Sequence, residues 1–382
     1  MTAGKDTRRK RVFFIDPMSM SNLAQYDYWL LSAMDADVTY FCSKFLDADE
    51  HSHIRYRRVF RYNKLANSTL KTVSYMLSYT QILLRILIDR PDVIHVQWLK
   101  IPQTDLAFYK MVKAISHTKL VFTAHNVLPH NTAKKFVVAY NSVYHLFDCI
   151  VVHSCRTKRE IVSKFKVPES RVAVTRHGIH KMHYDERLYA SKQAEMAAKY
   201  RLEGKFVFTS LGEQSFYKGI DMLAKVWAET PELRSDDSLR LIIAGKCKKI
   251  DLSCLDGISN ATVINSRISD EEYFYLLQHS DVQLFPYRQI SQSGALMIAL
   301  AHHVPVLVTD EGGLADPLKV ADIGWKINSC TFDRLRDGIL QILKDRTVAR
   351  RIRADEEAWE NVEKAFDWHE ISLETQALYD SL

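Results

Sequence analysis

Five residues between an apolar run and an apolar helix carry the first chemical signal of this chain. The segment "SQSGA" (291–295) follows the run "DVQLFPYRQI" and opens the apolar stretch "LMIAL". Backbone N–H groups without partners collect where a helix begins, and they attract anions. The segment therefore fits a phosphate cradle, in which small residues let the backbone approach the anion. The alternative is an ordinary serine N-cap, and because such caps are common, the pattern alone favours the cap.

A lysine and two histidines lie near the ends of other apolar runs. Lys218 lies in "SLGEQSFYKGID", after a strand-like run and Gly212. An ammonium group at a helix start suits a diphosphate, because its charge and the N–H groups both attract the phosphate oxygens. The alternative is a solvated surface lysine. His125, in "TAHN", ends another run, and His130 is a second candidate in the same loop. A neutral histidine satisfied by backbone groups is the alternative for His125.

These residues need a scaffold, and short apolar runs alternating with helical patterns supply it. Such runs indicate parallel strands covered on both faces. They form two groups, separated by a charged break near 180–204, which predicts two Rossmann-like α/β domains. The runs are "RVFFID", "VTYFC", "VIHVQW", "KLVFTAHN", "CIVVHS", "RVAVTRHG", "KFVFTSLG", "LRLIIAG", "ATVIN", "DVQLFPY", "VPVLVTD" and "IGWKIN". Ligands bind beyond the carboxyl ends of such strands, which nominates Trp98, His125, Ser154, His177 and Tyr287 among others.

Composition narrows the class of protein. The chain has 382 residues, of which 47% are hydrophobic, and no apolar run approaches the roughly 20 residues that span a bilayer. No G-x-G-x-x-G follows the first run, so a nicotinamide or flavin site is not indicated. Six scattered cysteines without a C-x-x-C pair favour reduced thiols over a zinc site or disulfides. With no signal-peptide pattern at the start, we expect a cytoplasmic protein.

The charge is unevenly distributed. Residues 1–180 contain 27 Lys and Arg against 14 Asp and Glu, whereas the remainder contains 25 against 32. A basic half of this kind indicates an anionic partner, such as a membrane surface or a phosphate-bearing acceptor. Nucleic acid is not expected, because no recognised nucleic-acid motif accompanies the short basic clusters.

Several segments, in this order, resemble the retaining GT-B glycosyltransferases, in particular glycosyltransferase family 4 and its polysaccharide-assembling branch. The segments are "TAHNVLPH" (123–130), "VVHS" (151–154), "RHGI" (176–179), "LGEQSFYKGID" (211–221), "PYRQISQSGAL" with "VPVLVTDEGGL", and "FDWHEISLETQALYDSL". The resemblance implies two Rossmann-like domains that face each other across a cleft. Residues 1–180 would bind the acceptor, residues 181–362 would bind the donor, and a terminal helix at 363–382 would cross back onto the first domain.

The resemblance also implies the chemistry. A hexose would pass from a nucleotide diphosphate sugar to a hydroxyl of a glycan or a polyprenyl-diphosphate-linked acceptor, with retention of configuration and without metal or cofactor. The implied setting is surface or exopolysaccharide assembly. His125 would contact the donor sugar and Lys218 the diphosphate, as catalytic residues. The implied donor-binding residues are Ser154, His177, Gly178, Gly212, Lys218, Tyr287, Ser291, Gln292, Ser293, Gly294 and Ala295. With these neighbours, the cradle becomes the preferred interpretation of "SQSGA".

Two departures from the family pattern keep other functions open. The family commonly has two glutamates separated by seven residues, and Ile290 and Ile298 occupy those positions here. The arginine usual before the donor-domain lysine is also missing. A GT-B protein that binds nucleotide or glycan without turnover, as a partner subunit, is therefore an alternative function. A different GT-B chemistry, such as nucleotide-sugar epimerisation, is a third.

The segment 69–90 is the longest predicted helix of the basic half. Its wide apolar face favours a core helix that packs on the sheet. The alternative is a surface helix that contacts lipid, which would make the protein peripheral on the inner face of a membrane.

Overall fold

The computed structural model describes residues 9–20, 22–44, 54–129 and 133–382. The chain divides into two compact units. The first contains the described residues up to Gly178 together with Asp367–Leu382, and the second is Ile179–Phe366. Each unit is a Rossmann-like α/β domain built on a parallel sheet, as the alternating runs predict.

The first unit contains a seven-stranded sheet in the order β3-β2-β1-β4-β5-β6-β7, and all its neighbouring strands are parallel. Its strands are β1 (Arg11–Asp16), β2 (Asp37–Cys42), β3 (Ile54–Arg58), β4 (Val93–Val96), β5 (Lys119–Thr123), β6 (Cys149–Val152) and β7 (Val172–Val174). Its helices are α1 (Asn22–Ser32), α2 (Ser68–Asp89), α3 (Pro102–Ile115), α4 (Ala133–Leu146), α5 (Cys155–Phe165) and the terminal α14 (Trp368–Asp380).

Helices cover both faces of this sheet. Helices α2 to α5 pack on one face through a core that includes Tyr79 and Tyr144. Helix α1 packs on the other face through Leu30, and α14 joins it there through Ile371 and Tyr379. The predicted return of the terminal helix to the first domain is therefore confirmed.

The second unit contains a six-stranded parallel sheet in the order β12-β10-β8-β13-β14-β15, and a separate pair, β9 with β11. Its strands are β8 (Phe206–Leu211), β9 (Gln214–Ser215), β10 (Leu239–Ala244), β11 (Cys247–Lys248), β12 (Ala261–Ile264), β13 (Val282–Phe285), β14 (Val306–Thr309) and β15 (Gly324–Ile327). Its helices are α6 (Glu186–Tyr200), α7 (Ile220–Glu229), α8 (Pro231–Arg234), α9 (Asp270–Gln278), α10 (Gly294–Ala301), α11 (Phe332–Lys344), α12 (Thr347–Ala354) and α13 (Glu356–Ala365).

Strand β3 is the main element that the sequence does not predict. It reads "IRYRR", which looks like a basic cluster, and only Ile54 is buried. Because β3 lies at the edge of the sheet, its outward side chains can be charged without a burial penalty. Arg55 pairs there with Asp37 on β2, with 2.6 Å between the charged atoms.

Helix α2 has a buried apolar face, which packs on the sheet, and an exposed apolar face on its outer side. Its N-cap Asn67 accepts hydrogen bonds from Thr69 and Leu70 N–H, and one face packs on the sheet through Tyr75, Tyr79, Ile82 and Ile86. The helix is therefore a core helix on that face, as favoured from the sequence. Within the described residues, no helix combines the length and the apolar character needed to cross a membrane.

Candidate functional site

In the second unit, Lys218 sits on a tight turn between a strand and a helix. Strand β8 leads to Gly212, whose φ of 97° lies in the left-handed region that favours glycine. Lys218 is the last residue of a short 3-10 turn, Phe216–Lys218. Gly219 (φ 71°) follows it and caps the start of α7. Both glycines are thus required by backbone geometry, and together they fix where the half-buried lysine lies.

The loop that follows β13 is tied to this lysine turn. A side chain on Gly219 would overlap the carbonyl oxygen of Pro286, so only glycine permits the approach of the two segments. Arg288 donates its backbone N–H to the Tyr217 carbonyl at 2.8 Å, and its guanidinium donates to both carboxylate oxygens of Asp221 at 2.6 and 2.8 Å. We call residues 288–293 the cradle loop. It is held against the lysine turn by a bidentate ion pair and a backbone bond.

Tyr287 brings the lysine and the cradle loop to one place. The ammonium of Lys218 lies 5.6 Å from the centre of the Tyr287 ring, and the tyrosine hydroxyl lies 3.4 Å from Ser293 Oγ. Burial lowers the pKa of Lys218 from its usual value. The residues that the sequence predicts for the diphosphate therefore lie close together around one buried aromatic ring.

Ser293 is an N-cap, which answers the alternative raised by the sequence. Its Oγ accepts the N–H of Leu296 at 3.3 Å, and α10 begins at Gly294. The cap satisfies one first-turn N–H group, while those of Gly294 and Ala295 have no acceptor within the helix. Gly294 is exposed and Ala295 half-buried. Capping and anion binding are therefore compatible at this helix start.

A glycine after β14 supports the cradle loop from the other side. Gly312 has a φ of 55°, and a side chain on it would overlap the carbonyl oxygen of Ile290. Gly313 donates its N–H to the Ser291 carbonyl at 2.9 Å. Ser291 is buried and Gln292 half-buried, and Gln292 Oε1 accepts the N–H of Ser293 at 3.0 Å.

In the first unit, His125 belongs to a buried histidine cluster, which we define as His95, His125, His153 and His177. A chain of hydrogen bonds connects three of them. Tyr379 OH lies 2.6 Å from His95 Nδ1, and the Gln97 side chain lies between His95 and His125, 3.2 and 2.8 Å from their Nε2 atoms. His125 Nδ1 lies 3.3 Å from His153 Nε2, and His153 Nδ1 lies 3.0 Å from the Thr175 carbonyl oxygen.

The ends of this chain define its proton positions. A carbonyl oxygen only accepts, so His153 carries its proton on Nδ1 and donates to Thr175. Burial lowers the pKa of His153 to about 4, so His153 is neutral and its Nε2 accepts from His125 Nδ1–H. A neutral His125 with its proton on Nδ1 accepts a hydrogen bond at Nε2. Gln97 donates that bond when its side-chain amide is oriented with the NH₂ group, rather than the oxygen, toward His125.

Both ring nitrogens of His125 are therefore engaged within the protein. Trp98 stacks on the imidazole with 4.7 Å between ring centres and an 8° interplanar angle, and Tyr26 meets it edge-on at 4.8 Å. Burial lowers the pKa of His125 well below its usual value, and nearby histidines lower it further. The ring is thus held in one orientation, and Trp98 is presented beside it.

The three other predicted residues of the first unit have identifiable structural roles. Ser154 caps α5 by accepting the N–H of Thr157 at 3.1 Å, and it is buried. His177 belongs to the histidine cluster, and burial lowers its pKa to about 3. A side chain on Gly178 would overlap the indole of Trp368, so this glycine allows α14 to pack. The donor and catalytic roles of all these residues stay predictions, and His130 lies outside the described residues.

A cavity of about 210 Å³ opens beside His125 at the carboxyl ends of β4 and β5. Its lining is largely aromatic and apolar, with one cationic side chain. The lining includes Met18, Trp98, Lys100, His125, Phe136 and Tyr140. A cavity of this character suits a sugar ring, because aromatic faces stack on apolar ring surfaces while polar edges bond hydroxyls.

Several site residues escape the sequence interpretation. Gln97 and His153 lie inside apolar runs, and Arg288 directly follows one. His95 and Gln97 are two positions apart, so both side chains lie on one face of the strand path, and this repeat was an available signal. The positions of the family glutamates, Ile290 and Ile298, pack against the hydrophobic core of the second unit. In the described part of the chain, no three His, Cys, Asp or Glu side chains are grouped so as to hold a metal ion.

Two Rossmann-like domains built on parallel sheets are the architecture of the GT-B glycosyltransferases, and the comparisons with known proteins are also with glycosyltransferases. The chain is similar to two glycosyltransferase family models, one in each unit. Residues 29–181 match the model of Glycosyltransferase Family 4, and residues 191–359 match that of Glycosyl transferases group 1.

Relatives and solved structures give the same result. The chain is 23% identical over 310 residues to the D-inositol 3-phosphate glycosyltransferase of Corynebacterium aurimucosum, covering 75% of this chain and 71% of that one. It is 24% identical over 245 residues to an uncharacterized glycosyltransferase of Methanocaldococcus jannaschii, covering 63% of this chain but only 61% of that protein.

Among solved structures, sucrose-phosphate synthase from Thermosynechococcus elongatus has a TM-score of 0.71 at 17% identity, covering 98% of this chain and 99% of that one. Anabaena HepE in complex with UDP-glucose has a TM-score of 0.70 at 14% identity, covering 98% of this chain and all of that one. At these identities, the likeness shows the fold.

Proposed function

We propose that the protein transfers a hexose from a nucleoside diphosphate sugar to a hydroxyl of a glycan or lipid-linked acceptor, with retention of configuration. One observation carries this proposal. Lys218, Tyr287 and Ser293 converge at the start of α10, and the Arg288–Asp221 pair holds the two loops that bear them together. A cation and free helix N–H groups are what a departing diphosphate needs.

In the proposed reaction, the second unit stabilises the leaving group. Negative charge accumulates on the diphosphate as the glycosidic bond breaks. The Lys218 ammonium would neutralise part of that charge, and the N–H groups of Gly294 and Ala295 would donate to its oxygens. The loops are fixed before the ligand arrives, so little reorganisation is required during the reaction. This chemistry needs neither a metal ion nor a cofactor.

The first unit would bind the acceptor. The cavity beside Trp98 and His125 has the aromatic lining of a sugar site, and Lys100 at its rim suits a phosphate-bearing acceptor. A polyprenyl-diphosphate-linked glycan unites these features, which favours a role in surface or exopolysaccharide assembly in the cytoplasm. His125, with both ring nitrogens engaged, would act by holding Trp98 and its own C–H edge in place.

Uridine nucleotides are the first donors to test, because the HepE structures contain UDP and UDP-glucose. The experiment is a thermal-shift screen of the full chain against UDP, GDP, ADP, dTDP and their sugars in the presence of a chelator. A ligand that binds only the folded state raises Tm with concentration. One nucleotide should stand out, and Lys218→Ala should remove that shift while Lys225→Ala, an exposed lysine on α7, retains it.

Retention has its own readout. Proton NMR of the product formed from an α-linked donor should show an α linkage. A β-linked product would contradict retention, and turnover that disappears in chelator would contradict metal independence. Equal shifts for wild type and Lys218→Ala would remove Lys218 from the donor site.

A catalytically degenerate nucleotide-binding subunit is the second candidate. The observation that favours it is that Ile290 and Ile298, at the positions of the family glutamates, are partly buried and pack against the core of the second unit. This candidate predicts a nucleotide-dependent Tm shift without release of nucleotide from any sugar donor, including slow hydrolysis. Detectable donor hydrolysis that Lys218→Ala abolishes would eliminate it.

A further inference from the structure

The outer face of α2 is an unusual surface. Seven of its large hydrophobic side chains are exposed, and Ile88, the most exposed of them, has 68% of its surface in solvent. The seven are Leu70, Val73, Met76, Leu77, Leu84, Leu87 and Ile88. At about 100° per residue they form one stripe, opposite to the buried stripe of Tyr75, Tyr79, Ile82 and Ile86. The helix therefore has two apolar faces, and only one of them is covered within the first unit.

Neighbouring helices on the same side of the sheet extend this surface. Helix α3 adds the exposed Met111 and Ile115, and α4 adds Val137 and Val138. Of the fifteen exposed large hydrophobic side chains among the described residues, eleven are on these three helices. We call these eleven side chains the outer apolar face. Such a concentration marks an interaction site, whereas scattered exposed apolar residues do not.

The charge around the outer apolar face is strongly positive. Residues 51–150, which include all three helices, contain fourteen Lys and Arg, four Asp and no Glu. Three of these four aspartates are buried or paired with a cation. Asp105 is buried, Asp89 and Asp148 pair with Arg85 and Lys113, and Asp92 accepts the backbone N–H of Arg11.

A second feature lies where α2 ends. A cavity of about 610 Å³ is bordered by the apolar Leu87 and Ile115, and its charged lining consists of the cations Lys10, Arg90 and Lys119 and one carboxylate, Asp92. Within the described residues, no ion pair involves Arg90 or Lys119. The cavity thus joins an apolar wall continuous with the α2 stripe to cations able to bind a phosphate group.

We infer that the outer apolar face docks the protein on an anionic lipid bilayer, with the cavity at the end of α2 receiving a lipid phosphate. A 22-residue helix is about 33 Å long, so it can lie along the membrane plane with its apolar stripe among the acyl chains. The flanking Lys and Arg side chains then contact the headgroups. This surface goes beyond the proposed transfer reaction and does not depend on it.

Charge selects a bilayer over a second copy of the chain. A symmetric dimer through this face would bring two equally basic surfaces together, with like charges opposed around the apolar stripe. An anionic bilayer instead supplies both an apolar interior and compensating negative charge.

The test is co-sedimentation of the full chain with vesicles of phosphatidylcholine, alone or mixed with phosphatidylglycerol. Wild type should bind the mixed vesicles, and added salt should weaken binding because the basic contribution is screened. The double variant L77E/L84E should bind at least about tenfold more weakly, because it places charge in the acyl region. The control L373E changes an exposed leucine on α14, outside the outer apolar face, and should bind like wild type.

Three results would overturn the inference. One is wild-type protein that stays in the supernatant with mixed vesicles. Another is sedimentation that L77E/L84E leaves unchanged. The third is a wild-type dimer, detected by light scattering, that becomes monomeric in L77E/L84E, which would make this face an interface between copies. If the glutamate pair prevents folding, L77Q/L84Q provides the same comparison. The vesicles contain neither donor nor acceptor, so the result is independent of the proposed transferase activity.

Discussion

Replacing His153 by asparagine tests whether the histidine cluster is neutral in the folded protein. His153 is buried, and burial lowers its pKa to about 4 from an ordinary value near 6.5. In the folded state it therefore stays neutral at pH values where the unfolded chain binds a proton. Between about pH 4 and 6.5 the unfolded state is favoured by that proton, so the stability contributed through His153 is complete above this window and falls as the pH decreases.

The magnitude follows from the two pKa values. Near pH 7.5 His153 is almost unprotonated in both the folded and the unfolded state, so proton binding contributes almost nothing to the free energy of unfolding. Near pH 5, the unfolded histidine is almost fully protonated and the folded one is not, which removes about 2 kcal/mol from the free energy of unfolding. H153N loses the hydrogen bonds to Thr175 and His125, which lowers the free energy of unfolding by about 1–3 kcal/mol at either pH. Because asparagine does not titrate, the variant does not lose the further stability that protonation of residue 153 in the unfolded state removes from wild type. The gap between wild type and variant should therefore shrink by about 2 kcal/mol between these pH values.

Urea unfolding at both pH values measures the difference in free energy of unfolding between wild type and H153N. Amide hydrogen exchange of β4 to β6 assigns the transition to the first unit. Replacing the exposed His369 by asparagine serves as the matched control for the substitution itself. The buried Asp16 and Asp27 have raised pKa values, so their contribution to the free energy of unfolding increases as the pH falls, opposite to that of His153. Comparing each variant with wild type at the same pH removes this contribution. A gap that is the same at both pH values would refute a neutral, buried His153.

Three further substitutions test the other contacts. R288K keeps the charge but loses the bidentate contact with Asp221. Urea unfolding should show a free energy of unfolding lower by about 1 kcal/mol, and titration calorimetry should show nucleotide binding about tenfold weaker. Unchanged nucleotide affinity would mean that the cradle loop is not part of the donor site. G312A forces a side chain into the cradle loop at φ 55° and should lower stability by about 1–3 kcal/mol, and a wild-type melting curve would contradict this. Y379F leaves buried His95 Nδ1 without its partner; denaturant unfolding should show a loss of about 1–3 kcal/mol, and a loss below about 0.5 kcal/mol would exclude the bond.

Much of the fold could be predicted because central parallel strands are buried on both faces. Their sequences are therefore predominantly apolar, and every such run in the sequence corresponds to a strand. The same physics explains the misses. Strand β3 has solvent along one edge and is rich in arginine, and the pair β9 and β11 has only two residues per strand, too few for any periodicity to develop.

The candidate site could be predicted only in part, because a sequence shows the residues next to a strand along the chain but not those across from it in space. Lys218 and Ser293 are recognisable from their position after apolar runs. The contacts that hold them are long-range: Arg288 meets Asp221 across 67 positions. The histidine cluster has the same character, since His95 and Tyr379 are 284 positions apart. Only the fold creates these neighbours.

The electrostatics of the two units agree with the proposed transfer in different ways. A glycosyl transfer separates charge, because the diphosphate departs with negative charge while the sugar ring becomes positive in an oxocarbenium-like transition state. The second unit presents the Lys218 ammonium and helix N–H groups, which suit the anion. The first unit presents four histidines, and burial lowers the pKa of each of them, so the cluster is neutral near pH 7.

The proposed contact between His125 and the donor sugar gives the neutrality of the histidine cluster a second consequence. An imidazolium at His125 would repel a positive sugar ring, whereas a neutral ring flanked by Trp98 and Tyr26 presents only weakly polar edges and π faces. If His125 contacts the donor sugar, protonating the cluster should lower kcat at a pH where the fold is still intact. Donor affinity, which depends on the second unit, should change little. If kcat stays constant as the pH is lowered to the point where the protein begins to unfold, the protonation state of the histidine cluster does not affect the reaction. The cluster would then have a structural role only.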